Sequence, residues 1–442
     1  MNESENVENP QPSPQARRSV RGWALYDWAN SAYATTVMAG FFPVFFKEFC
    51  CAGADPVVST ARLGFTNAAA GLLAAFLFPL LGAAADRGRS RRRFLLFFLG
   101  LGALTTACLS LVQAGQWPAA AILYGLSLIG FAGGNVFYDA LLPLVAGRRD
   151  MDRVSALGYA LGYLGGGILL AVNIWMTVSP ARFGLADPLQ AVRASFVTVG
   201  IWWLVFSIPL FLWVREPAEK KRISVGVMFR EGWHNLAGTI RGIRRYPTIL
   251  LFLLAYWFYI DGVDTVIRMA VDYGLSLGFA SKDLILALLM VQFIGFPAAL
   301  AFGRLGERIG TKRAILLAVG VYLLVTIGGS LMRTREDFFV MAAAIGLVQG
   351  GVQALSRSFY ARIIPPDRPA EFFGFFNMVG KFSVIFGPAL VGMAGLAARS
   401  AGFEGPAASR IGILSVALLF LAGGTLLLFV DEEKGRKEGA TL

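Results

Sequence analysis

The sequence predicts an all-α polytopic membrane protein, twelve transmembrane helices set out as two parallel six-helix repeats, and three observations carry that prediction. The first is composition: 56% of the 442 residues are hydrophobic and 15% charged, more apolar surface than a soluble chain of this length buries. The second is length. A hydrocarbon core of about 30 Å takes about 20 apolar residues per helix, and runs of that order recur along the whole chain. The third is internal repetition. Gly82, Asp86 and Arg87 open a basic loop between two apolar runs, and Gly303, Glu307 and Arg308 open another 221 residues on, half the length of the chain. Phe137-Tyr138-Asp139-Ala140-Leu141-Leu142-Pro143 returns after 222 residues as Phe359-Tyr360-Ala361-Arg362-Ile363-Ile364-Pro365.

In chain order, residues 1–21 read as a disordered tail. Asn9 to Pro14 is polar and Pro-rich, with no short apolar core and cleavage site to make it a signal peptide. Spans over 23–46, 61–85, 94–114, 117–144, 154–178 and 194–214 form a first half, 22–214. Gln113, Gly115, Gln116 and Pro118 place a tight turn between the third and fourth. A linker over 215–247 follows, then spans over 248–270, 283–303, 314–332, 338–361, 372–398 and 410–430 in a second half, 248–430, and a tail, 431–442. In the linker Val225, Met228, Phe229, Trp233, Leu236, Ile240 and Ile243 recur every three or four residues, the pattern of an amphipathic helix on a membrane surface or of a solvated helical linker. A membrane chain of two parallel repeats reads as a transporter with its site between the halves.

Charge sets the orientation. The net charge of +12 invites a nucleic-acid reading, yet the bases sort by membrane side: 28 Lys and Arg fall in the tails, the even-to-odd loops and the linker, against 9 in the opposite loops. That asymmetry places both termini in the cytoplasm and leaves no basic face for a nucleic acid. Cys50, Cys51 and Cys108 make no disulfide framework; two free thiols or a vicinal Cys50-Cys51 bridge remain open. His234, the one histidine, lies in the linker, so no metal site or intramembrane histidine relay is expected. No Gly-x-Ser-x-Gly elbow and no phosphate-cradling Gly-x-x-x-x-Gly-Lys-Ser/Thr loop occurs. An enzyme and an ATP-driven pump are therefore disfavoured, and no cofactor is expected.

An ionisable side chain at bilayer depth costs at least about 2.5 kcal/mol, so each one inside a span calls for a partner or a role. Seven qualify: Asp27, Asp139, Asp261, Asp264, Arg268, Arg357 and Lys381. Asp261, Asp264 and Arg268 share one helix face by spacing, as do Gln349, Gln353 and Arg357, Asn135 and Asp139, and Asn377 and Lys381. Four such stripes imply a polar interior pathway, while any single pair could equally be a bond between helices. Depth puts Asp27, Asp139, Arg357 and Lys381 in the inner half of the bilayer, a group that suits an inner gate with Asp139, Arg357 and Lys381 as its candidates. It puts Asp261 near the middle with Asp264 and Arg268 toward the outside, a group that suits a central site. Asp27, among Trp23, Tyr26 and Trp28, is the first candidate for a proton carrier and Asp261 the second; an Asp bonding a neighbouring helix is the competing reading. The two loops, with Gly82, Asp86 and Arg87 in one and Gly303, Glu307, Arg308, Gly310, Lys312 and Arg313 in the other, suit a gating role as acidic-basic turns that pair in one conformation and release in the other.

These loops resemble the signature loop of the major facilitator superfamily; the first copy carries its glycine, Gly88, one position earlier than Gly310 stands in the second. Trp23-Ala24-Leu25-Tyr26-Asp27-Trp28-Ala29-Asn30-Ser31-Ala32-Tyr33 is similar to the first-helix motif of the vacuole effluxer-like, autophagy-related permease branch. Gly158-Tyr159-Ala160-Leu161-Gly162-Tyr163-Leu164-Gly165, Gln353-Ala354-Leu355-Ser356-Arg357-Ser358 and Phe373-Gly374-Phe375-Phe376 agree. The resemblance implies the major facilitator fold and a proton-linked or other secondary permease, its fungal members similar to amino-acid effluxers. The expectation is a monomeric cell (inner) membrane transporter whose partners are a small polar or zwitterionic solute, protons and membrane lipids. Candidate substrate contacts are Tyr26, Asn30, Asp261, Asp264, Arg268, Gln349, Gln353 and Asn377. A lipid or lysolipid flippase, or a non-transporting scaffold or sensor, is the alternative.

Overall fold

The computed structural model describes residues 13–217, 245–276, 281–403 and 406–440. The first half comprises α1 (Pro14–Ala32), α2 (Pro56–Arg87), α3 (Arg91–Cys108), α4 (Trp117–Asp139), α5 (Met151–Val178) and α6 (Pro188–Trp213). The second comprises α7 (Pro247–Ser276), α8 (Ser281–Ile309), α9 (Thr311–Leu331), α10 (Arg335–Ile363), α11 (Pro369–Ser400) and a broken last span, α12 (Pro406–Ser415) with α13 (Ala417–Leu428). A short α14 (Glu432–Ala440) closes the chain. Among the described residues, ten helical stretches are long and apolar enough to cross a membrane.

The two remaining expected spans are helical as well. The first leaves the α pattern at Tyr33 and continues in wider π turns over Tyr33–Phe41 and Phe45–Cys50, a geometry that favours functional positions. The eleventh is α11, with Pro388 inside it. Residues 13–21 correct the expected disordered tail: Ser13 Oγ accepts the Ala16 N–H at 3.2 Å and Pro14 opens α1, so the helix begins well before residue 22. The expected linker helix and His234 lie outside the described residues. Cys50, Cys51 and Cys108 are free thiols.

The repeat governs the packing. Between the halves, α2 runs along α11 and α5 along α8, two seams that the internal duplication exchanges. All four helices have their signature-loop or loop-proximal ends at the basic end of the bundle, where α1 also starts and α14 finishes. At the second loop Gly310 turns the chain with φ +91°, which only glycine takes freely. In the first loop that position belongs to Arg89, at φ +42°; Gly88 stands one residue too early to take the turn, so a side-chain-bearing residue adopts the left-handed conformation instead. In α14, Glu438 accepts the Thr248 N–H at 3.0 Å and the Thr248 hydroxyl at 2.9 Å, capping α7.

Candidate functional site

At the basic end, α1, α4 and α5 of the first half meet α10 of the second around one arginine. Arg357 is 2% exposed. Its Nη1 and Nη2 each stand 3.2 Å from Asp27 Oδ2, and Nη1 stands 3.1 Å from Asp139 Oδ1. Nε donates to Ser155 Oγ and Nη2 to the Ser155 carbonyl, both at 2.9 Å. Aromatic rings enclose the remaining faces: the guanidinium carbon lies 4.4 Å from the centroid of Tyr159, 4.8 Å from Trp23 and 5.3 Å from Tyr138. Tyr138 also donates to Asp27 Oδ2 at 2.8 Å, and Trp23 Nε1 donates to the Tyr138 carbonyl at 2.9 Å. Gly158 makes room for all of this. A Cβ there would stand 2.5 Å from Asp27 Oδ2 and 3.0 Å from Arg357 Nη2.

The expected Asp139–Arg357 pairing is thus present, and Asp27, expected at the same depth, shares the same guanidinium. Two carboxylates from the first half hold one guanidinium from the second. Asn377 lies within reach of the Asp139 carboxylate and donates to the Phe373 carbonyl at 3.0 Å. Lys381 belongs to α11, with its side chain outside the described residues.

Two further contacts flank this clamp. In the first seam Asp86 Oδ2 accepts the Glu371 N–H at 2.9 Å, bonding the first signature loop to the start of α11, while Oδ1 pairs with Arg91 at 2.7 Å. Gly82 lies flush against α11, so that a Cβ there would fall against the Ala370 carbonyl and 2.8 Å from Glu371 N. In the second seam Gly303 meets Ala156, but the expected acid is corrected. Glu307 is exposed, and the acid that joins the halves is Asp152 at the start of α5. It accepts from Thr311 at 2.7 Å and from Ser358, and pairs with Arg362 at 2.9 Å. The repeat carries no signal for Asp152, because the position 221 residues on is Phe373. Arg87, Arg308 and Arg313 are exposed; Lys312 donates to the Leu428 and Val430 carbonyls at 2.7 Å, tying α9 to the end of α13. Glu216, just beyond α6, accepts the Arg91 and Arg92 N–H groups at 3.2 and 3.0 Å and so caps α3; burial pushes its carboxyl above the ordinary range despite those donors.

A cavity of about 260 Å³ occupies the opposite end. It is bordered by the π-helical part of the first span at Thr35, by the last turns of α7 and α9, and by the first turns of α8 and α10, which all lie away from the basic end. Its walls are mainly aliphatic, with Gln292 and Gln349 adding amides. Of the expected substrate contacts, only Gln349 lines it among the described residues. Tyr26 and Asn30 are buried inside the first half, where Asn30 donates to Asn135 at 2.6 Å. Gln353 is half-buried one turn from Arg357, Asp264 is half-buried, and Arg268 is exposed. The expected polar pathway is therefore concentrated at the clamp.

Asp261, expected at a central site, turns toward α11. It is 2% exposed and accepts the Gly387 N–H at 2.9 Å beside Pro388. Asp261→Ala is expected to lower stability by about 1–3 kcal/mol by leaving that donor unmet, whereas Asp261→Asn keeps an acceptor oxygen and the unfolding midpoint. Equal midpoints for the two variants would show that the bond carries no weight.

A family model described as "Vacuole effluxer Atg22 like" matches residues 52–440. An "Uncharacterized MFS-type transporter YxiO" of Bacillus subtilis (strain 168) is 36% identical over 418 residues, 94% of this chain and 95% of that one. "Autophagy-related protein 22-1" of Penicillium rubens is 23% identical over 582 aligned residues, covering 100% of this chain and 95% of that one. Among solved structures, the major facilitator superfamily proton:xylose symporter XylE superposes with a TM-score of 0.69 at 15% identity, covering 96% of each chain.

Proposed function

The chain belongs to the vacuole effluxer Atg22-like family of major facilitator transporters, and from that premise we propose that it moves a small zwitterionic solute, an amino acid, by proton-linked alternating access. One observation carries the reading. The halves are locked at one end by Arg357 on Asp27 and Asp139, while at the other end the second half, with Ala34, Thr35 and Ala39 of the first, walls a cavity. Alternating access requires such a pair of ends, one shut while the other holds space. The distribution of basic loops supports assigning the shut end to the cytoplasm, which makes the state outward-facing in a cell membrane.

The apolar cavity wall suits an amino-acid side chain, with Gln292 and Gln349 placed to hydrogen-bond the polar end. The clamp suits the coupling proton. Two carboxylates meet one guanidinium there, so a proton on Asp27 would weaken its hold on Arg357 and favour opening. One proton entering down a membrane potential supplies about 2.3 kcal/mol per 100 mV.

The test is uptake of the standard amino acids by proteoliposomes under an imposed pH gradient. At least one is expected to accumulate in a manner abolished by a protonophore. Asp27→Asn is expected to abolish gradient-driven accumulation while leaving exchange of internal for external solute. No amino acid moving faster than in empty vesicles refutes the substrate class, and gradient-driven accumulation by Asp27→Asn refutes the carrier. The apolar lining also favours a second reading, a lysolipid flippase. A fluorescent lysolipid that becomes protected from dithionite only in vesicles holding the protein would support it over the first.

A further inference from the structure

In the second repeat, α7, α11 and α12 leave a groove of about 410 Å³ that shares two residues, Tyr273 and Ile413, with the cavity at the end opposite the clamp. We propose that this groove holds one acyl chain of an anionic membrane phospholipid, with the headgroup at Arg399 and with Tyr273 and Ile413 as the wall between the lipid and the transport cavity.

The occupant follows from what surrounds the groove. Its walls are membrane-spanning helices, and it opens where Met393 and Leu396 of α11 are 62% and 68% exposed, a face that meets hydrocarbon in a membrane. Water does not fill an apolar recess there, so the recess is closed by lipid or by side chains, and among the described residues glycines stand in its wall where side chains could have closed it. Gly392 and Gly395 line it on α11 and Gly412 on α12. A Cβ at Gly392 would meet nothing within 4 Å, and one at Gly395 would meet only the Ala408 carbonyl at 3.7 Å. Neither glycine is needed for close helix contact, and together they leave a slot.

The charge follows from depth. Arg399 lies one residue before the end of α11 at Ser400, exposed at the outer mouth of the groove beside Ser409. That is headgroup level, where a guanidinium binds a phosphodiester and an anionic headgroup is favoured over a zwitterionic one. Tyr273 donates to the Gly329 carbonyl of α9 at 2.8 Å, which fixes its ring across the boundary. The proposal does not depend on which solute is carried.

Native mass spectrometry of the full chain, delipidated and then titrated with phosphatidylglycerol or phosphatidylcholine of identical acyl chains, tests it. The wild type is expected to retain one phosphatidylglycerol with about tenfold preference. Arg399→Gln is expected to abolish the preference while keeping one lipid bound. Gly392→Leu with Gly395→Leu, whose Cβ positions meet nothing closer than 3.7 Å, is expected to fill the slot and to lower retention of both lipids about tenfold at an unchanged unfolding midpoint; if the double variant does not fold, Gly392→Leu alone serves. No preference in the wild type overturns the headgroup assignment, and undiminished retention with the slot filled overturns the site.

Discussion

Replacing Arg357 with Gln is expected to open the end of the bundle that the structure holds shut, and to do so more completely than removing either acid. Arg357 is the group through which the second half grips both Asp27 and Asp139. Its loss leaves two buried carboxylates without that partner, and stranding a buried charge costs about 3–5 kcal/mol. Each 1.4 kcal/mol is a tenfold change in a conformational ratio, so the shift toward the opposite state exceeds a hundredfold. Asp139→Asn removes one of the three guanidinium–carboxylate contacts but leaves Asp27 with two guanidinium bonds and the Tyr138 hydroxyl, so its effect is expected to be markedly smaller. The readout is the rate at which a maleimide labels Ala156→Cys, which faces Gly303 in the second seam, with Cys50, Cys51 and Cys108 replaced by Ser. Unchanged labelling in Arg357→Gln would show that the cluster is a static helix contact and no gate.

What the sequence disclosed followed the strength of each physical signal. Span length and basic-loop asymmetry are collective signals, and the helices came out where the apolar runs lie. The duplicated Phe-Tyr segment placed Asp139 and Arg357 at one depth, because a repeat carries three-dimensional register as well as homology. It could not show that Asp27 reaches the same guanidinium, since the approach of α1 depends on Gly158 of α5 having no side chain, a tertiary fact with no local spacing. Glu307 was misleading for the opposite reason. A matching loop position is no guarantee of a matching contact, and in the second seam the acid has moved from the loop to Asp152 on the facing helix. Polar stripes alone do not define a pathway, because helical spacing fixes a face without fixing what that face meets: for Asp261 it meets the Gly387 N–H. The starts of α1 and α14 were legible only as polar tails. Their order comes from single contacts, Ser13 on Ala16 and Glu438 on Thr248, which composition averages away.

A leucine at Gly82 is expected to reach the same open state by steric means, with every charge in place. The Cβ direction at Gly82 points into the backbone of α11 at Ala370 and Glu371, and backbone at a helix start cannot swing aside as the tip of a long side chain can. The bulk must therefore part α2 from α11. That separation breaks the bond from the Glu371 N–H to Asp86, which is formed across the seam, while the Asp86–Arg91 pair within the first half survives. The helix itself loses nothing, because leucine is a better helix former than glycine by roughly 0.5–1 kcal/mol. Gly320→Leu is the matched control: the same substitution in α9, where a Cβ meets nothing within 4 Å. Gly82→Leu is expected to raise Ala156→Cys labelling at least tenfold with an unfolding midpoint close to that of the control, and to stop net transport because the shut state can no longer form. If Gly82→Leu labels like the wild type and transports normally, closure does not require the first seam, and the clamp at Arg357 shuts the end alone. If it labels strongly while Arg357→Gln does not, the seam is the gate and the charges are its consequence. The pair of variants therefore separates a gate held by electrostatics from one held by close packing of the repeat.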